Sequence, residues 1–538
     1  MDRRLALALL LSGLAVIVSS MLFPPAPRRA PVPTGNRRDT TTSVPTVAPV
    51  RRDTLLDLAI GLADSLVVST RKALYTFSSV GAVPIQVILR DYRALNRDSG
   101  TVRLVRDSVP LVTFRLVAGR DTVSLGRVPF TSQLAGSPDA PDSLLFRGDT
   151  PLGEVTLVYH FEPDGYLLSV NGQVPPSISE LLVTLPRGVR SEEANVRDDR
   201  RYLAFALKPV RGDARSIDFS KLDSAERRAE SGPFTWVVSK NKYFLIALLT
   251  PNGSDLPFSR AYFDGMPREG GTATSADAHV TLPAQAGRFA LEVYAGPQEW
   301  RRLRALGRDM EHANPYGGFM KGVVQPFATI VMRLLLWMHD ALRLSYGWVL
   351  VIFGIAVRII LWPLNQRAMR SSLKMQAIQP EMLAIQKKYR NNPQKQQEEM
   401  VRIYREHNMS PLSMFSGCLP MLIPMPVLFA LFFVFQNTIE FRGVSFLWLA
   451  DISLKDPYYI LPLIMGVSMY VLSWIGIRNA PPNPQAKMMM YMFPVIMTVA
   501  LLNLAAGLNL YYAVQNIAAL PQQWLIARER ARYTASRT

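Results

Sequence analysis

Arg358 stands inside FGIAVRIILWPLN, a run that is otherwise apolar. A guanidinium stays protonated at every physiological pH. Wherever the chain places it, it must find water, phosphate or a carboxylate, because an unanswered charge in an apolar setting is costly. The apolar stretches at 346–364, 417–436, 459–477, 488–506 and 508–526 contain no Asp, Glu or His that could answer it. The last of them carries a second polar feature. Asn509, Tyr512, Asn516 and Gln523 recur at i, i+3, i+7 and i+14, which lays them along one stripe of a helix.

Each of these stretches is close to the roughly 20 residues that about 30 Å of hydrocarbon requires of a helix. Between the first two lies a charged segment holding Arg367, Arg370, Lys374, Lys387, Lys388, Arg390, Lys395, Arg402 and Arg405. The excess of Lys and Arg makes that segment cytoplasmic. Alternation from there puts Arg478, Lys487 and the tail's Arg528, Arg530 and Arg532 on the same side, with the uncharged AAGLN turn outside. Counting back from Leu364 at about 1.5 Å per residue sets Arg358 roughly 9 Å below the cytoplasmic edge. Two environments fit such a cation: a side chain snorkelling to lipid phosphate, or a water-containing cavity open to the cytoplasm. The polar stripe has two readings as well, hydrogen bonding between helices or lining that cavity. Pro420, Pro424, Pro426, Pro462 and Pro494 interrupt three of the stretches, which membrane helices tolerate.

Upstream, Arg3 and Arg4 precede LALALLLSGLAVIVSSMLF. Residues 1–23 read as a retained transmembrane anchor, with a signal cleaved near Val18-Ser19-Ser20 as the alternative; in both cases the chain beyond it is extracytoplasmic. Residues 24–53, rich in Pro, Thr and Arg, form a disordered linker. From 54 to 310 short alternating runs recur between turn signals, as in GEVTLVYHF, EPDG and YLLSVNG, where Asp164-Gly165 suits a hairpin. This predicts a soluble all-β sandwich. Residues 311–345 are a linker followed by QPFATIVMRLLLWMHDALR, an amphipathic helix lying in the interface beside Arg333, Asp340 and Arg343. The membrane core is 346–527, with a cytoplasmic helical hairpin at 367–410 and a cytoplasmic tail at 528–538.

The hairpin reading rests on Met369, Leu373 and Ala377 at i, i+4 and i+8, an Asn391-Asn392-Pro393 turn, and Met400, Ile403 and Tyr404 beyond it. Its other face is basic, either simply solvated or docked on lipid headgroups or an incoming chain.

Composition narrows the classes. The chain has 538 residues, 49% of them hydrophobic, and a net charge of +18. The basic residues are scattered and no aromatic-basic or zinc spacing accompanies them, so direct nucleic-acid binding is excluded. Cys418 is the single cysteine, which forbids an intrachain disulfide. His160 and His279 lack metal-ligand spacing and read as ordinary strand residues. Neither cofactor nor metal is expected. The apolar stretches offer no nucleophile with a base, so an enzyme is not expected. A polytopic transporter is the rival reading, against which stands the absence of matching broken helices in two halves.

The residues YGWVLVIFGIAVRIILWPLNQRAMRSSLKMQAIQPEM, NPQKQQEEMVRIYREHNMSPLSMFSGCLPMLIPMPVLFALFF, DPYYILPLIMGVSMY, KMMMYMFPVIMTV and GLNLYYAVQN together resemble the YidC membrane protein insertase family. The likeness runs through about 200 residues of the membrane core. TFSSVGAVPIQVILRDYR and GPQEWRRLRALG are similar to the ends of the large extracytoplasmic domain of the Gram-negative form. The resemblance implies a multidomain protein: a periplasmic β-super-sandwich joined to a polytopic α-helical bundle with a five-helix core and an N-terminal anchor helix. It implies residence in the bacterial inner membrane, with both termini cytoplasmic.

It further implies a hydrophilic groove in the inner leaflet with Arg358 at its centre and Tyr512 as its aromatic, adjacent Tyr511 being the one-residue alternative. Asn509 and Asn516 join them on the stripe. A greasy slide for the substrate helix maps to Leu428, Phe432 and Phe433 and to Met492 and Val495. The implied partners are nascent membrane proteins and the phospholipid bilayer, with the Sec translocon and the ribosome beside them. The turn NLAAGLN departs from the family in lacking a Pro-Ser. The expected function is membrane protein insertion and folding, driven by partitioning of apolar surface at about 25 cal/mol per Å² and by the membrane potential, because the chain has no phosphate-binding loop.

Overall fold

The computed structural model describes residues 64–535 apart from 97–99, 120, 225, 255, 270, 315–320, 368–377, 391, 407–424 and 478–483. The expected anchor at 1–23 and linker at 24–53 lie outside the described residues, as do Cys418 and the Met369, Leu373 and Ala377 face.

Between Ser65 and Pro297 every helix is short and every strand pairing is antiparallel, in one sheet of four strands and one of fourteen. The alternation seen in the sequence is the cause. In Glu180–Leu185, ELLVTL, the second, fourth and sixth residues are buried and the others half-buried, so one face meets the core. Gly153–Phe161 and Leu167–Gln173 form the hairpin that Asp164-Gly165 predicted, with Leu168 opposite Phe161. The two sheets meet through aromatic rings. Phe77 of the smaller sheet lies edge-on to Tyr159 of the larger at 5.0 Å, and the Tyr159 hydroxyl donates to the Ala82 carbonyl at 2.7 Å. Such rings bury large area and fix a unique packing. The expectation of a large all-β domain is met.

The longer helices come next. After α1 (Val196–Asp199) and α2 (Trp300–Ala305) come α3 (Lys321–Leu342), α4 (Tyr346–Ile360), α5 (Gln379–Lys388), α6 (Pro393–Glu406), α7 (Met425–Asn437), α8 (Ile460–Ile477), α9 (Pro484–Leu501) and α10 (Ala506–Ala535). No single described helix is long and apolar enough to cross a membrane; α3 and α4 pass together as a pair bent by 116°. The stretches of about 20 residues anticipated from hydropathy are therefore not each one unbroken helix. At 346–364 the reason is local: Leu361 closes α4, and the chain resumes helix over 362–367, with Pro363 in its first turn, where a missing N–H costs nothing. In α10 length suffices, but its amides and terminal charges lower its hydropathy.

α10 packs against α4 on one side and α8 on another, α8 packs against α9, and α3 packs against α7. Small residues allow the close approaches: a Cβ on Gly354 would lie 3.0 Å from Val514, and one on Gly466 would lie 2.2 Å from Thr498 Oγ1. In the hairpin, Ile378, Ile403 and Tyr404 bury together against Met382 and Ile385, and the Asn392 side chain caps α6 by accepting from the Lys395 N–H at 3.1 Å.

α3 differs from a simple interfacial helix. Ala328, Val331, Leu335 and Met338 are buried, while Phe327, Ile330, Leu334 and Trp337 are exposed, so apolar residues cover two faces. Two of its charged residues meet α2: Asp340 pairs with Arg301, and Arg333 lies over the Trp300 ring at 5.0 Å.

The residue 438–459 connection between α7 and α8 joins both parts. Ile439 sits in the hydrophobic core of the β-domain, whereas Phe441, Phe446, Leu449 and Ile452 sit in that of the helices. Arg442 Nε donates to both oxygens of Glu193 at 2.8 and 3.1 Å, and both side chains are buried, with relative exposures of 4% and 5%.

Candidate functional site

Arg358 occupies the last turn of α4, where helix periodicity carries it from the same face as Gly354 toward α10. It is half-buried. Its Nη2 donates to Gln522 Oε1 at 2.9 Å. Among the described residues it forms no ion pair, and its Nε is buried without a hydrogen-bond partner. The partner is thus a neutral amide, which orients the guanidinium without cancelling its charge.

Gln522 is itself fixed. It is 1% exposed, and its Nε2 donates to the Trp362 carbonyl at 3.1 Å and to Gln366 Oε1 at 3.3 Å. Two turns earlier on α10, Gln515 Nε2 donates to the Gly354 carbonyl at 2.5 Å. Tyr511 completes this face, fully buried with its ring 5.8 Å from that of Phe353. The stripe of α10 that meets Arg358 is therefore Tyr511, Gln515 and Gln522, at i, i+4 and i+11.

The stripe singled out by sequence spacing faces elsewhere. Asn509 Nδ2 donates to the Leu501 carbonyl of α9 at 3.1 Å. Asn516 Nδ2 reaches the Met465 carbonyl of α8 at 3.4 Å, and Gln523 approaches Gly476 on that helix. Tyr512 lies between the two faces, half-buried, with its ring 6.3 Å from that of Tyr511. Of the two readings left open for the stripe, its amides take up helix-to-helix hydrogen bonding. Reasoning from sequence missed Gln515 and Gln522 because α10 carries two polar stripes, and spacing alone cannot say which one meets the cation.

Phe432 and Phe433 on α7 are half-buried, edge to face at 5.4 Å, against the core shared by α3, α4 and α10. Leu428 lies within the same helix. Met492 and Val495 on α9 are 50% and 63% exposed, beside exposed Tyr491, Ile496 and Val499. Exposed apolar residues grouped on one helix in this way offer a surface for an apolar partner.

In the β-domain His279 lies between Thr184 Oγ1 at 2.8 Å and Asp264 at 3.3 Å. Burial alone would raise the Asp264 carboxyl, but hydrogen bonds from Arg227 and His279 hold it well below the usual carboxylate range. His160 is exposed on its strand. Among the described residues no three His, Cys, Asp or Glu side chains group as a metal site would require.

Two family models match the chain: one described as 60Kd inner membrane protein over residues 337–533, the other as YidC periplasmic domain over residues 65–330. The membrane protein insertase YidC of Pelodictyon phaeoclathratiforme is 33% identical over 402 residues, 70% of this chain and 67% of that one. That of Prosthecochloris aestuarii is 30% identical over 475 residues, 84% of this chain and 80% of that one. Among solved structures, a crystal structure of active YidC insertase with its first transmembrane domain resolved is 20% identical and covers 96% of this chain and 99% of its own, with a TM-score of 0.35.

Proposed function

The chain belongs to the YidC family of membrane protein insertases, and we propose that it works through Arg358 as a fixed, uncompensated cation that draws acidic or polar segments of nascent membrane proteins into a wet groove. It is an inner-membrane protein that inserts membrane proteins into lipid, and it catalyses no chemical step. A transporter reading has no support among its relatives.

The observation that carries the mechanism is the 2.9 Å hydrogen bond from Arg358 to Gln522 in the absence of any ion pair to the guanidinium among the described residues. A carboxylate in Gln522's place would neutralise the site; an amide leaves the charge available. A client carboxylate reaching that depth gains a charge-assisted hydrogen bond, and the apolar distance its segment must still cross shortens. In this reading the client helix slides out along Leu428, Phe432 and Phe433 on α7 and Met492 and Val495 on α9, drawn by burial of its own apolar surface in lipid. Tyr512 borders the path, while Asn509 and Asn516 hold the wall by tying α10 to α9 and α8. Both termini are cytoplasmic and the β-domain periplasmic, as the distribution of Lys and Arg supports. The Sec translocon and the ribosome are the partners the resemblance brings.

The deciding experiment is charge reversal. Arg358→Glu should abolish insertion of clients with acidic outer segments into proteoliposomes and spare clients with neutral ones, while Arg358→Lys retains insertion. Equal insertion of both client classes by Arg358→Glu would overturn the mechanism.

A further inference from the structure

A cleft of about 250 Å³ opens in the β-domain, lined by Arg106, Arg190, Arg200, Ser191 and Thr274 beside the exposed apolar side chain of Val196. The three arginines are not equivalent. Arg190 is answered by Asp107 and Glu192, each at 2.7 Å, and Arg200 by Glu269 at 3.6 Å. Arg106, half-buried, donates to the neutral Thr274 carbonyl and forms no ion pair among the described residues. The Thr274 side chain beside it is 2% exposed, and its Oγ1 is buried without a hydrogen-bond partner. Arg106, whose charged neighbour is Glu269 on the rim, thus brings to the hollow a guanidinium without an ion pair of its own, next to a buried Thr274 hydroxyl that has no partner. A planar guanidinium so placed binds a carboxylate.

We infer that this cleft binds an acidic peptide segment, with an Asp or Glu carboxylate on Arg106 and flanking apolar residues over Val196. The rim argues for a peptide carboxylate over a phosphate. Asp107 and Glu269 are 78% and 64% exposed there; they repel a phosphate dianion more strongly than a single carboxylate, and they can accept hydrogen bonds from peptide N–H groups. The place in the fold argues for a client segment. Ser191 lies two residues before Glu193, which Arg442 of the connection between α7 and α8 holds, so the cleft's wall runs into the contact with the membrane helices. The inference rests on the insertase reading: the outer segment that Arg358 admits would be received here after it crosses.

The test uses the full chain in nanodiscs of neutral lipid and a rhodamine-labelled peptide carrying a single Glu between Leu residues, followed by fluorescence anisotropy. The expected result is saturable binding, weaker by about tenfold or more for the Gln counterpart peptide and for Arg106→Gln, with Arg106→Lys and Thr274→Val intermediate. Unchanged thermal unfolding of Arg106→Gln shows that it folds. Equal binding by Arg106→Gln overturns the proposal, as does displacement by inorganic phosphate or by phosphatidylglycerol vesicles at lower concentration than by unlabelled peptide. The same binding measured on Arg358→Gln separates the two readings: the cleft must still bind the peptide there, whereas loss of acidic-client insertion in that variant tests the groove alone.

Discussion

Gln522 Oε1 accepts a hydrogen bond from Arg358 Nη2 at 2.9 Å across the contact between α10 and α4. Because Gln522 also donates to the Trp362 carbonyl and to Gln366, the amide cannot turn away without leaving buried polar atoms unpaired, and the guanidinium inherits that fixed position.

Gln522→Glu should therefore act as an internal client. Its carboxylate would pair with Arg358, and insertion of acidic clients should fall nearly to the level of a charge-removing variant. Gln522→Leu removes a hydrogen bond to a charged group, worth about 1.5–3 kcal/mol, and should reduce insertion several-fold without abolishing it. Protease protection of inserted client in proteoliposomes measures both. Normal insertion by Gln522→Glu would remove the role of an uncompensated charge.

Asn509 and Asn516 separate structure from function on the same helix. Since their amides bond α9 and α8, Asn516→Leu should lower the thermal unfolding midpoint in detergent, by an amount corresponding to about 0.6 kcal/mol, and leave the preference for acidic clients unchanged. A lost preference at unaltered stability would place Asn516 in the groove.

The contact between the β-domain and the helices should respond to pH. Burial pushes the Glu193 carboxyl up to about 7 against the pull of Arg442, and burial likewise pushes Glu440 up to about 7. A carboxyl whose folded pKa lies above its unfolded value binds more protons when folded. Its contribution to stability is therefore full at low pH and lost as pH rises from about 4.5 through 7. Unfolding midpoints should fall across that window, and the slope should be shallower in Glu193→Gln. An unchanged slope in the variant would exclude Glu193 as a source.

Arg442→Ala leaves Glu193 buried without its cation, a change that costs about 3–5 kcal/mol in buried pairs. Limited proteolysis should then cut between the β-domain and α3 more readily, whereas Glu193→Gln with Arg442→Ala should recover part of the loss. Absence of recovery would mean that Arg442 acts through its packing on Tyr243 and Phe244, over whose rings it lies at 5.9 and 5.3 Å.

Gly466 is required by contact. A side chain there would meet Thr498 Oγ1 at 2.2 Å, so Gly466→Val should separate α8 from α9 and cost about 1–3 kcal/mol, read as a lower unfolding midpoint. Gly466→Val with Thr498→Ala should restore part of it.

The sequence by itself determined what local chemistry dictates. Period-two alternation in runs such as ELLVTL and GEVTLVYHF made the β-domain legible, because one face of a strand must be apolar and the other need not be. The Asn392 turn and the Met400, Ile403 and Tyr404 face made the packing of α5 and α6 legible for the same reason at helical period. Arg358 was legible as an unanswered charge because nothing near it in the chain could pair with it. Only the tertiary structure decided what answers it. Tyr511, Gln515 and Gln522 form one polar face of α10, and Asn509, Asn516 and Gln523 form another; a helix that turns by about 100° per residue presents both equally well on paper. The choice depends on which neighbour packs where, and that is fixed by contacts distant in sequence: Gly354 admitting Val514, Gly466 admitting Thr498. The pairing of Glu193 with Arg442 was hidden for the same reason, since 249 residues separate them and charges on two ordinary stretches carry no mark of meeting until the β-domain and the helices close on each other.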